Sequence, residues 1–175
     1  LDSNNNLWSW GYNYHGELGI TNTSNSSSYY TPRLNSSYST ALNNVNIAKI
    51  CHGYYTWNII PADGKVYQWG YGSHGEHLTG TSYHIHTPRL LAGIPNSVKI
   101  RNIIWGYHHA LALTDTGNLY TWGYNNHGER GNGSSSYSSN DTSPYKIIRD
   151  NAGNSLTEAT FIKISAASHS CYALR

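Results

Sequence analysis

The chain has 175 residues, a formal net charge of +2 and only 11% charged side chains. That length suffices for one ordinary domain. The charge is weak and includes no basic run, so the electrostatic footprint of a nucleic-acid binder is missing, and no apolar stretch approaches membrane-spanning length.

In chain order, the first predicted element lies in SNNNLWSWG (Ser3–Gly11), which runs into WGYNYHGE (Trp10–Glu17). A Ser/Asn/Tyr-rich loop, Thr21 to Tyr30, and the segment TPRL (Thr31–Leu34) follow. Next come four short strands, near Lys49–Cys51, Thr56–Ile60, Val66–Trp69 and, after a proline, Arg89–Leu91. They are short runs of β-favouring residues. The third runs into WGYGSHGE (Trp69–Glu76), and a second TPRL spans Thr87–Leu90. Ala110–Thr114 joins the strand of Leu119, Tyr120 and Trp122 through Asp115-Thr116-Gly117-Asn118, a tight-turn composition. That strand enters WGYNNHGE (Trp122–Glu129), followed by a loop over Gly133–Asn140, SPYK (Ser143–Lys146) and ISAASHSCYAL (Ile164–Leu174).

The three WG segments start 59 and 53 residues apart. A period of this length marks a stacked or radial repeat protein. No long apolar stripe of period 3.6 supports a helical solenoid, and four antiparallel strands per repeat is the build of a propeller blade. The predicted fold is all-β: a partial β-propeller of about three four-stranded blades, one domain over 1–175 with repeats at about 1–65, 66–118 and 119–175.

These segments resemble the regulator-of-chromosome-condensation (RCC1) repeat family of seven-bladed propellers. Trp122, Gly123, Asn125 and Gly128 match that family's pattern, as do Trp10, Gly11, Asn13, Gly16, Leu18 and Gly19. The departures are Glu17, Glu76 and Glu129 in place of the family's Gln, EHLTG in the second copy where the first reads ELG, Arg130 in place of Leu, and Ala167 where Gly53 and Gly106 stand. Three repeats make less than half of a seven-bladed wheel, so the chain is expected to be a piece of a longer propeller.

The repeated positions Trp10, Gly11, Gly16, Trp69, Gly70, Gly75, Trp122, Gly123 and Gly128 read as architecture. The tryptophans fill space between blades, and Gly11, Gly70 and Gly123 let the strand leave the sheet sharply. Asn13, Gly72 and Asn125 share one position, and the Asn/Gly choice predicts a positive-φ turn there. The GxGxxG at Gly70–Gly75 is not a dinucleotide site, since its counterparts read GYNYHG and GYNNHG and no helix pattern follows. The pairs His15/Glu17, His74/Glu76 and His127/Glu129 could ligate a metal, but recurrence in every blade reads as structure, with Glu a loop acceptor replaceable by Gln. Sharing an ion would require separate blades to converge on the axis. His84 and His86 would share a strand face and show no third ligand. No catalytic residue, cofactor or metal site is predicted.

Cys51 and Cys171 occupy different repeat positions and are expected to be free and buried. Asn22, Asn25, Asn35, Asn132 and Asn140 head sequons that could carry glycans in a secreted eukaryotic protein, with Asn/Ser bias the leading reading. The candidate protein interface is Tyr54, Tyr55, Trp57, Trp105, Tyr107 and His108, aromatics at or beside one rim, of types enriched at binding hot spots; filling gaps between blades is their competing role. The leading function is a non-catalytic protein-interaction module, a scaffold or subunit of a larger assembly with protein partners. The family resemblance implies an alternative, guanine-nucleotide exchange or regulation of a small GTPase. A second alternative is a surface or secreted glycan-recognition protein, since Tyr-, Trp- and Asn-rich rims suit sugars. The compartment is not legible.

Overall fold

The structure, a computed structural model, describes residues 1–20, 28–36, 38, 45–136, 142–158 and 160–175. It is all-β. Two complete four-stranded antiparallel sheets stand in the middle: β3 (Ile47–His52), β4 (Thr56–Pro61), β5 (Tyr67–Gly70) and β6 (Ile85–Leu90), then β7 (Ile100–Trp105), β8 (His109–Thr114), β9 (Leu119–Gly123) and β10 (Tyr145–Lys146), each in sequence order. A hairpin flanks them at either end, β1 (Trp8–Gly11) with β2 (Tyr29–Leu34) and β11 (Lys163–Ala167) with β12 (Ser170–Leu174). The partial propeller is therefore two whole blades between two half blades. Each of the segments 1–65, 66–118 and 119–175 supplies four strands, two to one blade and two to the next.

The strand predicted at Arg89–Leu91 begins earlier, at Ile85, and β2 likewise takes in Tyr29 and Tyr30, which the sequence placed in a loop. Pro88 is tolerated inside β6 because this strand forms the outer edge of its sheet, where a missing N–H breaks no ladder bond.

One apolar layer fills each space between neighbouring sheets. β8 (HALALT) shows why its sequence carries no polar face. Ala110 and Ala112 face the layer holding Trp105 and Trp122, and Leu111 and Leu113 face the layer holding Ile147, Phe161 and Ile164. Both faces of the strand are covered, so period-2 alternation appears as small against large. The two alanines leave room for the indoles, which meet edge to face with centroids 6.0 Å apart.

The repeated tryptophans act across blades. Trp69 Nε1 donates to the Glu17 carbonyl at 2.7 Å, and Trp122 Nε1 to the Glu76 carbonyl at 2.9 Å. Trp10 departs from the expectation: it is 59% exposed. The WG glycines have φ of +104°, +102° and +89°, and a Cβ on Gly70 or Gly123 would strike the carbonyl oxygen of Tyr55 or His108. Asn5, standing where later repeats have Gly64 and Gly117, adopts the same left-handed backbone, with φ of +63°.

Candidate functional site

Each sheet is an antiparallel meander, so its first hairpin turn and the loop leaving its third strand lie at the same end. That rim collects the turns at 53–55, 106–108 and 168–169 and the WG loops at 12–17, 71–76 and 124–129. Each WG loop is built the same way. A carboxylate oxygen of Glu17, Glu76 and Glu129 accepts the backbone N–H of His15, His74 and His127, at 2.8, 2.7 and 2.9 Å. All three glutamates are buried, as the loop-acceptor reading requires. The residue before each tryptophan ties strand to loop: Ser9 Oγ donates to Leu18 O, Gln68 Nε2 to Glu76 O, and Thr121 Oγ1 to Arg130 O.

The positive-φ turn expected at Asn13, Gly72 and Asn125 does not occur. Positive φ sits at the WG glycines and at Gly16, Gly75 and Gly128. Asn13 and Asn125 are instead buried acceptors, each Oδ1 taking a backbone N–H, from Leu18 at 3.0 Å and from Arg130 at 2.8 Å. The second repeat has Gly72 because its inserted His77 occupies the space: a Cβ on Gly72 would lie 2.4 Å from His77 Cδ2. Gln68 Nε2 can only donate, so His77 Nδ1 accepts at 2.7 Å, and His77 Nε2–H donates to Gly70 O at 2.9 Å. Asn58 Nδ2 donates to Gln68 Oε1, and Trp105 Nε1 to Asn58 Oδ1. The chain of bonds runs from one blade into the next and fixes His77 as a neutral imidazole, whose pKa burial pushes down to about 4.

At each blade junction the HxE pair faces the hairpin turn of the following blade. His15 meets Tyr55 with ring centroids 5.1 Å apart, His74 meets His108 at 4.6 Å, and His127 meets His169 at 4.6 Å. His108 Nδ1 stands 2.9 Å from Glu76 Oε1. His127 Nδ1 and His169 Nδ1 both address Glu129 Oε1, at 3.1 and 2.9 Å. Convergence on the axis is thus unnecessary, since neighbouring blades meet at the rim. The glutamates diverge accordingly. Burial raises the Glu17 pKa, and its second oxygen has no hydrogen-bond partner. At Glu129 burial also pushes upward, but the backbone N–H groups of Glu129 and His127 and the two imidazoles outweigh it, and the pKa is lowered.

These residues join a belt of rings. Tyr12 packs on Tyr14 and Tyr55; Tyr54 packs on Tyr55 and Tyr107; Tyr71 lies between His15, His84 and His108; Tyr124 lies beside His74, His127 and His169. Burial holds His15, His74 and His84 below the ordinary imidazole pKa. His15 Nδ1 and His84 Nε2 are 3.2 Å apart, so His84 finds its neighbour across the junction and not in His86.

The six candidate interface residues divide. Tyr54 (56% exposed) and Tyr107 (44%) stand outward on the rim, with Tyr55 and His108 half-buried beneath them. Trp105 is 8% exposed and sealed between the two complete blades, so it offers no docking surface. Trp57 is half-buried in an apolar groove of about 270 Å³ between the first two sheets, lined also by Leu7, Trp10, Ile50 and Trp69. Both follow the gap-filling alternative. Sequence reasoning passed over Tyr12, Tyr71 and Tyr124 as rim residues, although a tyrosine follows every WG, and over His169, which aligns under His108. Cys51 is buried and Cys171 half-buried, both free. Asn35 is fully buried and donates to Leu18 O, so its sequon cannot carry a glycan on the folded chain. Asn22, Asn25 and Asn140 lie outside the described residues.

Two sequence profiles described as the regulator of chromosome condensation (RCC1) repeat match the chain, one over residues 4–56 and one over 106–129. The chain belongs to the RCC1-repeat family. It is 32% identical over 125 residues to human E3 ubiquitin-protein ligase HERC2, covering 71% of this chain and 2% of that one. It is 26% identical over 134 residues to Protein RCC1 of Candida albicans, covering 71% of this chain and 29% of that one. The solved structure of Prp20p from Saccharomyces cerevisiae, described with its binding properties to Gsp1p and histones, superposes with a TM-score of 0.74 at 22% identity, over 99% of this chain and 40% of that one. The chain therefore spans less than a third of these curated relatives, and the structural likeness establishes the RCC1-type propeller fold.

Proposed function

We propose that this RCC1-repeat segment is a non-catalytic docking module that receives a protein partner on its Tyr/His rim. The observation that supports this reading most is the ring belt itself. Tyr12, Tyr14, Tyr54 and Tyr107 are exposed and do not serve the apolar layers between blades; Tyr12 and Tyr14 stand on the first WG loop, whose backbone the buried Glu17 holds, and Tyr54 and Tyr107 on the facing hairpin turns. Tyrosine presents large, stiff contact area with a polar tip, which suits a hot spot. The described part of the belt carries no lysine or arginine, which favours a protein over an anionic polymer. The test compares partners recovered by the full-length protein with those recovered by its Tyr54→Ser/Tyr107→Ser variant. Loss of defined partners at unchanged thermal midpoint is expected. An unchanged partner set would contradict the rim as the docking face.

A second reading, regulation of a small GTPase including nucleotide exchange, draws support from the likeness to Candida RCC1 and to the Prp20p propeller, whose binding to Gsp1p is described. It predicts faster nucleotide release from at least one member of a small-GTPase panel, slowed by the same rim substitutions. Release no faster with the protein than without it, across the panel, would reject exchange activity on those GTPases.

A further inference from the structure

The junction between the third WG loop and the β11–β12 turn differs from the other two in a way that bears on ligand chemistry. His127, Glu129 and His169 bring three donor atoms within 4.8 Å of one another, and among the described residues no other set of His, Cys, Asp or Glu does so. We propose that these three residues form a binding site for a divalent transition-metal ion of the zinc type, one that ties the third WG loop to the following hairpin.

Glu129 is the fixed member. Its Oε2 accepts the His127 N–H at 2.9 Å, so its Oε1 is left aimed at the two imidazoles. The carboxylate is buried, while the His127 and His169 side chains are 59% and 42% exposed. An ion can therefore enter from solvent and keep a water or an exogenous ligand on its outer side. The Nδ1–Oε1 separations of 3.1 and 2.9 Å need little change, since ligand atoms about 2.0–2.1 Å from a tetrahedral zinc lie roughly 3.3 Å apart. Two imidazoles and one carboxylate suit zinc, and also cobalt, nickel or copper, more than calcium or magnesium. On coordination each imidazole carries its proton on Nε2, turning the two Nδ1–H···Oε1 hydrogen bonds into two metal bonds. At the first junction Tyr55 stands where His169 stands here and removes one nitrogen ligand.

The test is a Zn²⁺ titration by calorimetry, with Co²⁺ as a visible-absorption probe, on the metal-free full-length protein. The wild type should take up one saturable equivalent that His127→Gln/His169→Gln lacks, and Zn²⁺ should raise the melting midpoint of the wild type and not of that variant. Glu129→Gln, which keeps the loop acceptor, should retain the fold and weaken binding at least about tenfold. His84→Gln/His86→Gln should keep the equivalent. Equal zinc stoichiometry and affinity in the wild type and the His127/His169 variant, no uptake by the wild type, or loss confined to the His84/His86 variant would each overturn the site.

Discussion

At the residue scale, His77 shows how one insertion is accommodated. Its ring takes the space that Asn13 and Asn125 fill in the other repeats, and the bonds to Gln68 and Gly70 hold it neutral. The folded pKa of about 4 lies below the unfolded value of 6.5, so between these values the unfolded chain binds a proton that the folded chain refuses. The contribution is fully present above pH 6.5 and is lost as the pH falls toward 4. The loss is about 2 kcal/mol by pH 5, from the linkage of protons to folding. Urea midpoints at pH 7 and pH 5 should drop accordingly in the wild type, and a His77→Gln variant should show a shallower pH dependence. Equal pH dependence in the two proteins would contradict the assignment. None of this was legible in the sequence. The inserted segment EHLTG and the Asn-to-Gly change at position 72 were both visible, but only the backbone brings them together. The turn glutamates were legible as acceptors because all three repeats carry them, whereas their second oxygens depend on the facing blade, which sequence does not display.

At the element scale, strands and their order followed from the repeat, because short β-favouring runs separated by turn residues leave few alternatives. Which strands share a sheet did not. The repeat unit and the blade are out of phase, so that each stretch from one WG segment to the next joins two sheets and the apolar layers lie between them. Trp122 is fully buried in such a layer. Trp122→Ala should cost about 3–5 kcal/mol, the range for truncating a large buried aromatic, read as a denaturant midpoint shift. A loss under about 1 kcal/mol, the size of an ordinary surface change, would contradict its role as filler between blades. Trp57 and Trp105 illustrate the limit of pattern reading. Both are aromatics of a type enriched at binding hot spots, which made them look available, yet β-strand position puts one in a groove and the other in the core.

At the scale of the whole molecule, the meander sorts loops to two ends. One rim gathers the tyrosines and histidines of the ring belt and the buried glutamates, and the other carries the short turns around Asp63 and Thr116. The docking role assigned to the first rim is the central claim. Its most direct test places a photo-reactive benzoylphenylalanine at Tyr107, and separately at exposed Thr116 on the opposite rim, in the full-length protein within its own cells. Discrete cross-linked protein species from position 107, and none from 116, is the predicted result. Equal cross-linking at both positions, or cross-linking from 116 alone, would contradict a partner-binding rim of tyrosine and histidine.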